Sequence, residues 1–160
     1  MAPAGVTFGH VNIVARDWRR LSRFYRDVFG CVPVPPRRRL SGAWLEAGTA
    51  VEGAALEGEH LRLPGHGPEG PTLEIYSYTR SHERPEAAAN RLGLGHVAFQ
   101  VPDVTETLSR VLAEGGRALG VVSSTEVPGK GPLTFVYACD PEDNIIELQS
   151  WAASGPDERP

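Results

Sequence analysis

Apolar and polar positions alternate in short runs along this chain, and the runs are interrupted twice by stretches of helical spacing. Residues 6–14 are rich in β-branched and apolar side chains and predict a strand. Asp17 then stands at a helix N-cap position. Trp18, Leu21, Phe24, Tyr25, Val28 and Phe29 recur at helical spacing until Gly30. A short strand over 31–34, an irregular stretch over 35–49 and a strand over 51–63 follow. A Gly/Pro-rich loop occupies 64–71 and a further strand 72–78. An Ala-rich piece, 85–92, predicts a short helix in a connector. The second half then repeats the order. It has a strand over 94–101 and a helix over 103–114, whose apolar stripe is Val104, Leu108, Val111 and Leu112. Gly115-Gly116 stops that helix, and strands follow over 117–123, 133–139 and 144–151.

The repetition holds in register. Gly-His-Val opens each half, at Gly9-His10-Val11 and Gly95-His96-Val97. An Asp follows each His by 7 residues, and a Gly follows each Asp by 13. Each half closes on a carboxylate among apolar residues, Leu73-Glu74-Ile75 and Ile146-Glu147-Leu148. The His-to-Glu separation is 64 residues in the first half and 51 in the second, so the first carries about 13 more. Loops absorb such insertions cheaply. They fall most easily in 35–49 or in the loop around His66. The pattern predicts an α+β fold of two βαβββ modules that bury a joint core. The first spans 5–80, a connector 81–93, the second module 94–151, and a polar, disordered tail 152–160.

Bulk properties narrow the function. At 160 residues the chain is one domain or two small modules. A net charge of −4 argues against a nucleic-acid partner. The one basic run, Arg37-Arg38-Arg39, lies among prolines and reads as a solvated loop. No apolar run is long enough for a membrane span and no signal pattern is present, so a cytoplasmic location is expected. Cys31 and Cys139 lack CxxC partners and read as reduced, buried small residues.

The repeated pair carries the chemistry. An ionised carboxylate in an apolar strand is costly unless compensated. His10, Glu74, His96 and Glu147 at matched positions point to one cation held by two imidazoles and two carboxylates. That set suits one divalent ion: Ni, Co, Zn, Mn or Fe(II). The alternative is four polar residues on edge strands facing solvent. Because side chains alternate across a strand, Asn12 shares a face with His10, Gln100 with His96, and Tyr76 and Tyr78 with Glu74. His60, His66 and His82 lie outside the repeat and read as surface residues.

Gly9-His10-Val11, Phe24-Tyr25 with Phe29-Gly30, Gly95-His96-Val97-Ala98-Phe99, and Asp140-Pro141 leading to Asn144-Ile145-Ile146-Glu147-Leu148 resemble the vicinal oxygen chelate superfamily. This is the glyoxalase, bleomycin resistance and extradiol dioxygenase fold. The resemblance covers about 7–150. It implies paired βαβββ modules in an open half-barrel mixed sheet around a metal site, with His10, Glu74, His96 and Glu147 as ligands. The complete His, Glu, His, Glu set is similar to that of glyoxalase I, and Gly129-Lys130-Gly131 resembles that enzyme's substrate loop. The chain departs from the bacterial glyoxalase pattern at Val14 and Tyr78, two glutathione-binding positions, which points away from glutathione.

What the resemblance implies is a metal-dependent lyase or isomerase acting on a small substrate with vicinal oxygens through a metal-stabilised enediolate. Glu147 or Glu74 would be its base. Asn12, Tyr76, Tyr78, Gln100 and Lys130 would be substrate contacts. Two other readings belong to the same family: an Fe(II) extradiol-type dioxygenase using His10, His96 and Glu147, and a resistance-type protein that binds a small molecule without turnover. Family members pair modules within a chain or between chains, and a homodimer is the expected partner state.

Overall fold

The computed structural model describes residues 5–152. They fall into two compact units, one ending at Arg84 and the other beginning at Pro85. Both are α+β, and each has its own open sheet.

In the first unit the strands are β1 (His10–Val14), β2 (Val32–Ser41), β3 (Ala55–Arg62) and β4 (Thr72–Tyr78), in the order β1-β4-β3-β2. β1 runs parallel to β4 and the other pairs are antiparallel. Helix α1 (Trp18–Phe29) covers one face. The Asp17 carboxylate accepts the Arg19 and Arg20 N–H groups at 3.0 and 3.1 Å, which starts the helix. Gly30, at φ 70°, ends it. Trp18, Leu21, Phe24, Tyr25 and Val28 are buried, as the spacing predicts. They meet Leu61, Leu73 and Ile75, which are fully buried on the sheet face below. Each such side chain contributes about 1.5–3 kcal/mol. One carboxylate shares this layer. Glu59 is buried but accepts a hydrogen bond from the Ser22 hydroxyl and faces the Arg37 guanidinium at 3.4 Å, so its charge is compensated.

The opposite face of β3 and β4 carries Leu56, Gly58, His60 and Arg62 beside Tyr78, Tyr76, Glu74 and Thr72. Helix α2 (Ala43–Thr49) caps one end of this face. Its Leu45 packs with Ala54, Leu56 and Tyr76, and Leu40 and Tyr78 close the cluster.

The second unit contains β5 (Val97–Gln100), α3 (Val104–Ala113), β6 (Arg117–Ala118), β7 (Ser123–Val127), β8 (Gly131–Cys139) and β9 (Ile145–Trp151). The sheet order is β5-β9-β8-β6, and β7 also pairs with β8. Again the first strand is parallel to the last. The turn into β9 is locked by Asp140, which is buried. Its carboxylate accepts the Glu142 and Asn144 N–H groups, both at 2.9 Å, and the Asn144 side-chain amide at 2.8 Å. This Asx-type turn fixes where β9 begins, and therefore where Glu147 falls.

Several local expectations change, among them the strand expected over 117–123, which is instead two short strands, β6 and β7, separated over 119–122. β2 continues to Ser41 through Pro33, Pro35 and Pro36 instead of ending at Val34. It is an edge strand, and its register with β3 shifts between Val34 and Arg38, so two of the missing donors fall where the ladder is already broken. Residues 43–49 are helical, held by the single anchor Leu45 with Trp44 turned out to solvent, a pattern too sparse to show a stripe. The Ala-rich piece 85–92 forms no helix. It is too short to offset nucleation without a buried stripe, and only Ala87 is buried. Arg91 instead folds back, its N–H on the Ala88 carbonyl at 3.1 Å and its guanidinium on Pro85 at 3.2 Å. In α3, Thr107 is buried on the stripe and Leu112 is exposed.

The extra length of the first module lies mainly between β2 and β3, over 42–54, where the second module has only 128–130 between β7 and β8. Ala152 is tied to Pro132 by an N–H···O bond of 3.0 Å, and the rest of the expected tail lies outside the described residues. Both cysteines are free and buried, and burial pushes the Cys31 thiol up to about 12. Among the described residues no helix is long and apolar enough to cross a membrane.

Gly58 makes a testable demand. A Cβ there would lie 1.9 Å from the Ile75 carbonyl oxygen and 2.5 Å from the Tyr76 ring. Gly58→Ala is expected to destabilise the protein by about 2–3 kcal/mol. Gly9→Ala, with nothing within 4 Å, is expected to be neutral. Paired urea melts check the contrast, and equal midpoints for the two variants would contradict it.

Candidate metal centre

Each module places its carboxylate by strand register. In the first, Glu74 lies opposite Asn12 of β1 on one side and His60 of β3 on the other. His10, paired with Thr72, sits two positions down the same face. Its Nδ1 is 3.4 Å from Glu74 Oε1. His60 Nε2 is 3.1 Å from that same oxygen and 2.7 Å from the Tyr76 hydroxyl. Glu74 is 12% exposed at its side chain, His60 20% and His10 52%. In the second module, Glu147 lies opposite Ala98 of β5 and Tyr137 of β8. His96, just before β5, brings its Nε2 to 2.8 Å from Glu147 Oε2. Its ring lies against Tyr137, with centroids 4.9 Å apart.

Both repeated His and Glu residues are thus brought together as pairs, the Glu on the last strand of its module and the His on or just before the parallel first strand. Both carboxylates are mostly withdrawn from water and face imidazole. The nitrogens touch the oxygens directly, and in the first module two imidazoles converge on a single oxygen. Among the described residues no group of three or more His, Cys, Asp or Glu side chains is arranged around a common centre that would hold an ion. As donors, imidazole nitrogen and carboxylate oxygen fit a borderline divalent ion.

The remaining expected residues differ in placement. Asn12 is exposed, and its amide donates to the Glu74 main-chain carbonyl at 3.4 Å. Tyr76 is buried under Leu45, and Tyr78 is half-buried beside it. Gln100 is exposed and pairs in register with Gln149. Lys130 is exposed in the β7–β8 turn, its ammonium 5.7 Å from the Trp151 ring centre. His66 and His82 are exposed, as expected.

His60 is not a surface residue, and that expectation is corrected. The β3–β4 register turns it onto the Glu74 face, where the Tyr76 hydroxyl holds it. The sequence signal was there: Leu56, Gly58 and His60 alternate along one face. His60 belongs to no repeat, however, so nothing marked it. Burial pushes its pKa below the ordinary imidazole value. The Glu74 carboxylate opposes that shift, while Arg38 and His10 add to it. Burial and the Glu74 charge push the Tyr76 phenol upward, against Arg38.

Two clefts flank the first module. One, of about 830 Å³, lies at the start of α1, and its guanidiniums are engaged: Arg16 with Glu83, and Arg19 and Arg39 with Glu57. It contains none of the His–Glu pairs. The other, of about 570 Å³, includes Val14 and Tyr78 from the strands that carry His10 and Glu74, but it too contains none of the His–Glu pairs.

A sheet whose first and last strands run parallel, repeated with a His at or just before the first strand and a Glu on the last, defines a class. The chain belongs to the Glyoxalase/Bleomycin resistance protein/Dioxygenase superfamily, whose family model matches residues 7–148. Solved structures agree on the fold. A glyoxalase family protein from Bacillus cereus superposes with a TM-score of 0.77 at 20% identity, covering 94% of this chain and 97% of that one. A glyoxalase/bleomycin resistance protein/dioxygenase family enzyme from Burkholderia phytofirmans PsJN gives 0.55 at 14%, covering 90% and 98%. A mutant fosfomycin resistance protein from Listeria monocytogenes, complexed with Mn(II) and 1S,2S-dihydroxypropylphosphonic acid, gives 0.53 at 16%, covering 94% and 95%. At these identities the likeness establishes the fold. No match was found among curated proteins.

The second-module pair is testable in metal-free protein. A double-mutant cycle on His96→Ala and Glu147→Ala is expected to return a coupling of about 0.5–1 kcal/mol, reduced by solvent because His96 is about one-third exposed. Thermal denaturation of the four proteins measures it. A coupling near zero would mean that the contact does not hold in solution.

Proposed function

We propose that this chain is a divalent-metal-dependent lyase or isomerase of the glyoxalase/epimerase type, acting on a small substrate with vicinal oxygens. The observation that carries the reading is the repeated His–Glu pair, with both carboxylates mostly buried and facing imidazole. His10, Glu74, His96 and Glu147 are the ligand set. Each module supplies one His and one Glu of it. We propose a homodimer as the partner state.

Bound there, a divalent ion would act as a Lewis acid toward the two substrate oxygens. The chain's own residues do the rest. Glu74 meets two imidazoles and Glu147 one, so Glu147 is the freer carboxylate and the one we assign to take the substrate proton. Asn12, Gln100 and Lys130 are exposed polar groups available to orient the substrate. Tyr76 and Tyr78 would exclude water from one end of the Glu74 face. The Listeria fosfomycin resistance protein, of the same fold, holds Mn(II) with a vicinal diol.

Metal analysis of protein purified without chelator or affinity-tag metal is the test. About one divalent ion per chain is expected, and its loss in a His10→Ala/Glu147→Ala double mutant. Glu147→Gln and Glu74→Gln are expected to lower turnover of hydroxy-carbonyl substrates by about 10²-fold or more, with the fold intact by circular dichroism. Full activity in both would overturn the assignment. Bound iron together with oxygen consumption on catechols would replace it with the extradiol reading.

A further inference from the structure

The two carboxylates have different surroundings, although the repeat makes them equivalent. The residue across the sheet from Glu147 is Tyr137, whose ring lies against His96. The residue across from Glu74 is His60. The first module therefore has an imidazole where the second has a phenol ring. It also has the longer contact between its repeated pair, 3.4 Å at His10–Glu74 against 2.8 Å at His96–Glu147.

We propose that His60, braced by the Tyr76 hydroxyl, is a positioning residue for Glu74. The proposal rests on the metal-dependent reading above and deepens it, because it assigns the groups that prepare one ligand. Cross-strand neighbours on one face of an antiparallel pair are held close by the main chain itself. His60 is thus a fixed partner, whereas His10 is half exposed. Tyr76 stands two positions beyond Glu74 on β4, with the His60 and Tyr76 rings edge to face, centroids 5.9 Å apart and planes at 82°. Its ring is seated under Leu45 and Leu56, so its hydroxyl is aimed rather than free to rotate away. His60 Nε2 lies within reach of both oxygens, 2.7 Å from the phenol and 3.1 Å from the carboxylate. The carboxylate so held keeps one orientation before any ligand arrives. A group that fixes a ligand in this way affects metal affinity by about 10- to 100-fold.

The experiment reads Co(II) binding, not activity. Apo protein is titrated with Co(II), its visible d–d spectrum is recorded, and the dissociation constant is obtained by competition with a chelator. His60→Leu, which fills the same space without a donor, is expected to weaken Co(II) about 10- to 100-fold and to shift the spectrum. His60→Gln, which restores a donor, is expected to recover most of the affinity. Tyr76→Phe, which keeps the ring and its packing, is expected to weaken binding several-fold, and it decides the matter should His60→Leu fail to fold. Wild-type affinity and spectrum in folded His60→Leu, or in Tyr76→Phe should that variant have to decide, would overturn the positioning role while leaving the metal reading standing. No Co(II) binding by the wild-type protein would remove the metal reading and this inference together.

Discussion

A carboxylate in the middle of an apolar strand is the constraint around which each module is organised. Glu74 and Glu147 are flanked in sequence by Leu73 and Ile75, and by Ile146 and Leu148, all four fully buried. Those neighbours pull the strand into the core, and the alternation of side chains then turns the glutamate to the other face with little water around it. The fold answers with a parallel first strand. Parallel pairing of β1 with β4, and of β5 with β9, brings the His at the head of each module beside the Glu at its end. A parallel pair needs a long crossover, and the helix and intervening strands of each module supply it. Architecture and compensation are therefore the same arrangement seen at two scales.

Much of this was legible in the residues because it repeats. His10 and His96, Asp17 and Asp103, Gly30 and Gly116 stand at equal separations, and a periodic signal survives local ambiguity. The capping Asp residues and the terminal Gly announced the helices, and β4 has the bounds that its alternation predicts. What does not repeat was invisible. β2 runs through prolines that ordinarily break strands, because it lies on an edge where donors are dispensable. Helix α2 hangs on one leucine. His60 acquires its place only when β3 is laid against β4 in the correct register, and no single-strand pattern contains that register.

The duplication has also been used unequally. The first module carries the long β2–β3 connection with α2 over its Glu74 face, and it brings a second imidazole, His60, to its carboxylate. The second has a short turn there and an aromatic ring, Tyr137, in the corresponding place. Two copies of one plan thus present different surroundings to chemically identical carboxylates. On the function proposed above, differences of that kind would let one carboxylate stay fixed while its counterpart moves a proton. They also place sequence variation where it is best tolerated, in connections outside the paired strands.

Gly58 has a consequence of another kind. The Tyr76 ring lies over this residue, in space that any side chain would occupy. The phenol can reach back to His60 because the neighbouring strand is bare at one position. A designer wishing to graft the Glu–Tyr–His trio onto another antiparallel sheet would have to carry a fourth residue with it, one that contributes no functional group. The transferable unit is two strands in a given register with a gap between two of their side chains, and the gap is as much part of the motif as the atoms that line it.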